Sequence, residues 1–262
     1  MKINLPQSYF NKLIRAVVEF DLIQDGDHIL IGISGGKDSI FLAYALAILR
    51  ERLKKDFRLS ALTINPMFSK EIHMEGITEF CKSLDIPHEI HNVDIAEAIR
   101  QSHNKNACFT CSYFRRGAIN RYATEQGMNK IAYAHHLDDA VETFFMGLLY
   151  SGQLTTFSPK TYLDRTGLTV IRPLVYFREY ELARSEKYHG CSAVPSSCPI
   201  DGTTYRQKVK ELIEEMGKDN KQLFSHLTAA MRESSLGELW PAAKTREEMK
   251  ETYFNYMGRS HA

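Results

Sequence analysis

The stretch Ser34-Gly35-Gly36-Lys37-Asp38-Ser39 lies between two apolar runs, His28–Ile33 and Ile40–Leu49. That order predicts a strand, a glycine turn and a helix N-terminus, which is how a backbone phosphate site is built. Glycines at 35 and 36 carry no Cβ, so the chain can turn sharply and come close to an anion. Amides of the turn and of the first helical turn would point at phosphate oxygens. Lys37 adds positive charge, and Ser34 and Ser39 add hydroxyl donors. The spacing is not G-x-x-x-x-G-K-[ST], which excludes a Walker loop. Two glycines alone also suit a plain tight turn. The Lys-Asp-Ser continuation at a strand-to-helix junction decides for a nucleotide.

Working outward, apolar strand patterns alternate with amphipathic segments. The strands are His28–Ile33, Arg58–Ile64, Pro87–Val93, Lys130–Ala134 and Leu168–Ile171. The helical patterns between them are Ser39–Lys54, Met74–Leu84, Tyr113–Gln126 and Asp138–Tyr150. Such alternation predicts an α/β fold with a doubly wound parallel sheet and helices on both faces. Ligands in such sheets sit beyond the carboxyl ends of the strands, where the glycine turn lies. An N-terminal helical segment (1–25, helix at Ser8–Phe20) precedes the main domain (26–203). A C-terminal helical tail (204–262) follows, with patterns at Thr204–Met216, Lys221–Ser234 and Thr245–Tyr256. Loops are expected at Phe68–His73, Ser102–Ala107, Ser151–Arg165 and Cys191–Thr203.

Three further clusters bear on chemistry. In His135-His136-Leu137-Asp138-Asp139, at a strand end, the two acids suit the first turn of a helix by about 0.3–1 kcal/mol each. Beside a polyphosphate the same carboxylates would hold Mg2+, which takes oxygen ligands. One of the two histidines is expected to face the nucleotide, and we assign His135. The second cluster is Cys108-Phe109-Thr110-Cys111, with Cys191 and Cys198 far along the chain. It suits half of a zinc site, a redox pair or part of an iron–sulfur site. The spacings do not separate zinc from iron. Cys81, inside a helical pattern, reads as a small core residue. The third cluster is basic: Arg115 and Arg116 directly after the cysteine pair point to a nearby anion, and Arg172 to phosphate or RNA. Tyr113, Phe114 and Phe157 suit core packing or a stacked base.

Composition sets few limits. The 262 residues are 44% hydrophobic and 25% charged, ordinary for a folded protein, and the net charge of +1 names no partner. Ile40–Leu49 is too short for the roughly 20 residues that span a bilayer. Met1–Phe20 spaces its apolar residues helically around Lys2, Lys12, Arg15 and Glu19, so no secretion leader is read there. Five cysteines without a leader are expected in the reducing cytoplasm.

The hexapeptide resembles the PP-loop of the ATP pyrophosphatases. The order Ser-Gly-Gly-Lys-Asp-Ser, Cys-x-x-Cys, His-His-x-Asp-Asp-x-x-Glu-Thr is similar to the tRNA 2-thiocytidine synthetase (TtcA-type) family. So are Asp25-Gly26-Asp27, Arg115-Arg116-Gly117, Ile171-Arg172-Pro173-Leu174, and Cys198 followed by Arg206-Gln207. The resemblance covers about Leu13–Glu215. Asn65-Pro66-Met67 departs from it, where the family often has an acid. The resemblance implies an ATP-dependent tRNA sulfurtransferase. With ATP and Mg2+ it would adenylate the C2 oxygen of an anticodon-loop cytidine and replace it with sulfur carried by a [4Fe–4S] cluster. It implies Cys108, Cys111 and Cys198 as cluster ligands, and Ser34–Ser39, His135, Asp138 and Asp139 as the ATP site. Lys37, Asp38 and Asp138 would take the catalytic roles. Arg115, Arg116 and Arg172 would contact phosphate or RNA. It also implies a tRNA partner, a sulfur donor (a cysteine desulfurase or sulfide), a homodimer and no membrane. The competing readings are a PP-loop thiolase for a tRNA uridine or small molecule, and a non-catalytic nucleotide- and cluster-binding sensor.

Overall fold

The computed structural model describes residues 5–68, 74–102, 107–195, 198–199, 202, 204–232 and 245–248. Its centre is a six-stranded sheet. The strands are β1 (His28–Gly32), β2 (Arg58–Asn65), β3 (His88–Asn92), β4 (Lys130–Ala132), β5 (Lys160–Leu163) and β6 (Leu168–Ile171), ordered β3-β2-β1-β4-β6-β5. Every pairing is parallel except β5 with β6. From β1 the chain builds outward to β3 and then returns to add β4 on the other side. The order therefore reverses between β1 and β4, and the crevice beyond their carboxyl ends is the switch point where doubly wound sheets bind ligands.

The sequence explains the layers. Alternate residues of β1 enter opposite cores: Ile29 and Ile31 join one and Leu30 the other. Helices α1 (Gln7–Glu19), α2 (Lys37–Arg52) and α3 (Glu75–Ser83) pack in the first core. Helices α4 (Ile95–Gln101) and α5 (Ala107–Glu125) cover the second. Every residue of α2 from Ser39 to Leu49 is buried, as expected of a helix apolar on all sides. At the amino end of the sheet, far from the switch point, Asp27 accepts from Lys130 Nζ at 2.6 Å and from Asn129 Nδ2 at 2.8 Å. Lys130 also donates to the Leu22 carbonyl at 2.9 Å. The Asp25-Gly26-Asp27 signature is thus scaffold.

After β4 come α6 (Leu137–Met146), a π-helical turn (Gly147–Ser151), β5, β6, α7 (Glu179–Ala183), α8 (Glu186–His189), α9 (Tyr205–Asp219) and α10 (Leu223–Arg232). Two compact units result, Met1–Lys221 and Gln222–Ala262. The sequence reading put α9 in the tail, but it packs along α6 in the first unit.

Part of the expected loop Ser151–Arg165 is a strand. Lys160–Leu163 pairs with β6 through a turn ending at Gly167, whose φ of +69° suits glycine. Helix α5 starts six residues before the expected Tyr113, so Cys108 and Cys111 stand one turn apart on a helix. Helices α4, α7 and α8 were not anticipated. Most of the expected loops Phe68–His73 and Ser102–Ala107, and of the helix Thr245–Tyr256, lies outside the described residues. Among those residues no helix is long and apolar enough to cross a membrane.

Candidate active site

The turn after β1 is braced by its own hydroxyls. Ser39 Oγ donates to the Gly36 carbonyl at 2.9 Å and accepts from the Ser34 amide at 3.2 Å. Gly36 N donates to Ser34 Oγ at 3.3 Å. Gly35 takes φ +82°, and a Cβ there would meet Met74 Sδ and Val194 Cβ, both at 3.3 Å. The Gly35 carbonyl accepts from Val194 N at 2.9 Å. The segment that leads to Cys198 is therefore strapped to the turn.

A cavity of about 680 Å³ opens at the switch point, within the ~300–1,000 Å³ of small-molecule sites. One wall is Ser34, Gly36, Asp38 and Ser39; the floor includes Leu62, Ile64 and Ile119. The far wall is Ser112, Arg115 and Arg116 of α5; His135, Asp139, Arg172 and Arg206 close the rest. Among the described residues, three that line the cavity bury a polar atom without a hydrogen-bond partner: Asp38 Oδ1, Arg115 Nε and Tyr133 Oη. An unpaired buried polar atom costs about 1–3 kcal/mol, so three around one cavity mark a ligand's place.

Acids and histidines after β4 divide into two roles. Asp138 is tied up. Arg178 Nε donates to both its oxygens at 3.1–3.2 Å, and the Glu179 amide donates at 2.8 Å. Burial opposes its charge, but His136, Arg178 and that amide hold the carboxyl at about 2. Asp138 is absent from the cavity lining, whereas Asp38 and Asp139 belong to it. Burial pushes the Asp38 carboxyl up against the pull of Lys37 and His136. The His136 ring lies 4.0 Å from Asp38 and 3.4 Å from Asp139. Burial lowers its pKa, yet Asp138, Asp139 and Asp38 together raise it on balance. Asp38 and Asp139, with the unpaired Asp38 oxygen, form a donor set that suits Mg2+ beside phosphates.

His135 is held differently. Its Nδ1 accepts from Arg172 Nε at 3.2 Å, leaving Nε2 as the N–H donor. Burial pushes this imidazole down to about 4, so it is neutral at physiological pH. Arg172 is fixed by the Ser158 carbonyl at 2.6 Å and lies over the Phe157 ring at 4.9 Å. Lys37 does not line the cavity; its ammonium meets Asp38 at 3.3 Å and Glu179 at 3.4 Å, and Glu179 also takes Lys210 at 2.7 Å.

The cysteines separate into two groups. Burial raises the Cys108 and Cys111 thiols, and the nearby Cys198 raises both further, against Arg115 at Cys111. Cys191 instead stands beside Cys81, whose thiol burial pushes up to about 12 with Cys191 adding to it. Among the described residues, no three His, Cys, Asp or Glu side chains gather closely enough to hold a single metal ion. Three thiols on two segments, near enough to perturb one another, are a donor set of the kind that holds zinc or an iron–sulfur cluster.

Sequence reasoning missed the ties between distant elements. Arg206 of α9 reaches Glu142 at 3.0 Å, Thr143 at 3.2 Å and Asp139 at 3.4 Å on α6. The arm bearing Cys198 is thus anchored at the turn through Val194 and at the acidic helix through Arg206. Nothing in local sequence flags partners 64 positions apart.

The PP-loop domain family profile matches residues 6–215. A relative named tRNA-cytidine(32) 2-sulfurtransferase, from Geobacter sulfurreducens, is 34% identical over 228 residues, covering 84% of this chain and 87% of its own. One of the same name from Dechloromonas aromatica is 35% identical over 210 residues, covering 78% and 72%. Among solved structures, the U34-tRNA thiolase NcsA from Methanococcus maripaludis with its [4Fe-4S] cluster aligns with a TM-score of 0.69. The identity is 20%, over 86% of this chain and 77% of that one. An NH3-dependent NAD synthetase from Campylobacter jejuni aligns at 0.50, with 15% identity over 92% and 100%. These two likenesses show the fold. Profile and relatives together establish that the chain belongs to the PP-loop family, in its tRNA-cytidine(32) 2-sulfurtransferase group.

Proposed function

We propose that this enzyme thiolates tRNA at the C2 position of an anticodon-loop cytidine, using ATP. The observation that carries the reading is the cavity with its three unpaired polar atoms, between the Ser34–Ser39 turn and the helix bearing Cys108 and Cys111. The turn amides and the Ser34 and Ser39 hydroxyls cradle the β- and γ-phosphates. Leu62, Ile64 and Ile119 offer an apolar wall to the adenine. Asp38 and Asp139 would hold the Mg2+ that accompanies ATP and would offset phosphate charge. Asp138 takes a catalytic part by fixing the first turn of α6 through Arg178 and Glu179. Lys37 leaves Glu179 for the pyrophosphate as charge develops there.

The C2 oxygen attacks the α-phosphorus, and the bond to pyrophosphate breaks. Neutral His135 donates from Nε2, and Arg172 with Arg115 and Arg116 offsets the phosphate charge of the adenylate or of the RNA backbone. A carbonyl oxygen is a poor leaving group and its phosphate ester a good one. Sulfur then bonds to C2 and the oxygen departs on AMP. The balance closes with sulfide as donor, or with a desulfurase persulfide plus two electrons. Cys108, Cys111 and Cys198 would hold a [4Fe–4S] cluster, which when bound would supply a binding place for the incoming sulfur. The reading places the enzyme in the cytoplasm, where tRNA and reduced thiols coexist, and takes a homodimer as its assembly.

The test is anaerobic reaction of the iron-loaded enzyme with unmodified tRNA, ATP and sulfide, followed by mass spectrometry of nucleosides. Formation of 2-thiocytidine with equimolar AMP is expected. Thiouridine alone would move the reading to a uridine thiolase. ATP binding without any RNA-dependent AMP would favour a sensor.

A further inference from the structure

Helix α5 carries an aromatic face that the chemistry above leaves unused. Phe109 is 53% exposed, Tyr113 62% and Phe114 41%. The buried residues of this helix are Thr110, Ile119, Tyr122 and Ala123, so none of the three rings is a core anchor. Phe109 and Tyr113 stand one turn apart with nearly parallel rings, 18° between planes and 6.4 Å between centroids. Phe114 meets Tyr113 edge-on at 5.7 Å and 86°. Three exposed rings within six residues form an apolar patch of the sort that marks an interaction surface.

The chemistry beside the patch says what covers it. Arg116 is one turn beyond Tyr113 on the same side of α5 and, with Arg115 and Ser112, lines the cavity. Aromatic stripe and guanidinium rim are therefore continuous. A partner that matches both must offer flat π-faces close to negative charges. Unpaired bases on a phosphate backbone do so, stacking on aromatic side chains while arginines meet the phosphates. An apolar protein surface would match the rings and strand the arginines. The chain's net charge of only +1 gives no general attraction for nucleic acid, so recognition has to be local. We infer that Phe109 and Tyr113 are a stacking platform for unpaired bases of an RNA loop whose reacting base enters the adjoining cavity. The inference rests on the tRNA reading above. Docking on α5 brings the RNA beside Cys108 and Cys111, the thiols carried by the same helix.

Fluorescence anisotropy with a labelled anticodon stem-loop RNA tests the platform. Removing two stacking rings is expected to weaken RNA binding at least about 30-fold. The variant Phe109→Ala/Tyr113→Ala should show this loss while its ATP affinity, which reports the folded domain, stays unchanged. Phe109→Tyr/Tyr113→Phe, which keeps both rings, should bind RNA normally. So should Tyr162→Ala, which removes an exposed ring on the edge strand β5. The slope of affinity against salt should persist in the double alanine variant, because the phosphate contacts remain. Unchanged RNA affinity in that variant overturns the platform and leaves the tRNA reading standing. Conversion of a dimer to a monomer by light scattering, with RNA affinity per protomer intact, overturns it in favour of a self-association face. A wild-type enzyme that binds no RNA removes both readings.

Discussion

Helices α2 and α5 both open onto the cavity, and their heads are opposites. The turn before α2 is closed on itself by hydroxyl–backbone bonds, and the helix behind it is buried from Ser39 to Leu49. The first two turns of α5 expose Cys108, Phe109, Tyr113 and Phe114 to solvent. A buried helix holds its N-terminal amides in place before any ligand arrives, so the nucleotide half is preorganised. An exposed helix end carrying two thiols is left open to what binds it. One half of the site is thus built by folding, and the proposed function assigns the other to a cofactor and a partner.

The largest expected effect would separate the halves. Cys198→Ser should abolish iron–sulfur absorbance and thiolation while ATP affinity changes by no more than about twofold, as for independent sites. Asp38→Asn should do the reverse. Its ATP-to-AMP turnover should drop by about 10²–10³, the scale for losing one preorganised electrostatic contact, with the absorbance intact. A loss of both signals in either variant would break the comparison.

Next comes the tie between the halves. Arg206→Ala leaves the buried Glu142 carboxylate unpaired, a cost of about 1–3 kcal/mol. Burial already pushes that carboxyl up against Arg206's pull. Thermal unfolding should shift down by several degrees, and adding Glu142→Gln should recover part of the loss. Additive effects in that double-mutant cycle would show that the two residues do not act as a pair.

A smaller effect sharpens the turn itself. Gly35→Ala should cost about 1–2 kcal/mol, because φ +82° is strained for any side chain and the new Cβ meets two neighbours at 3.3 Å. At Gly36, φ is −76° and a Cβ meets only Ser34 Oγ at 3.4 Å. Gly36→Ala should stay within about 0.5 kcal/mol. Equal destabilisation in urea unfolding would refute the difference.

The smallest effect is titration beneath α2. His189 is buried against the rings of Phe41, Tyr44 and Phe80, and its Nδ1 accepts from the Cys191 amide at 3.2 Å. Burial depresses its pKa below the ordinary 6.5. Below that pH the unfolded chain takes up a proton that the native ring refuses. The contribution is therefore full above about 6.5 and is lost as pH falls through the depressed value. Stability measured from pH 7.5 downward should decline less steeply in His189→Phe than in the wild type.

The two halves also differ in how far the sequence disclosed them. Strand, glycine turn and buried helix are consecutive, so local periodicity and turn chemistry suffice for His28–Leu49. The start of α5 at Ala107 is silent in the sequence, because its first turns lack the apolar stripe that marks a helix. The edge strand β5 carries no strand signal of its own, because only the pairing of Lys160–Leu163 with β6 makes it a strand. Asp138 and Asp139 are indistinguishable in sequence. Arg178 and Glu179, 40 and 41 residues away, turn one of them from the cavity.

The sequence by itself determined the α/β class, the glycine turn before α2, the acidic cluster after β4 and the spacing of the cysteines. Each follows from residues adjacent along the chain, where periodicity and side-chain chemistry act directly. Only the tertiary structure decided which thiols lie near one another, which acids face the cavity, and that Val194 and Arg206 anchor the cysteine arm. Those relations join residues far apart in the chain. They are set by strand order and helix packing, which no local pattern encodes.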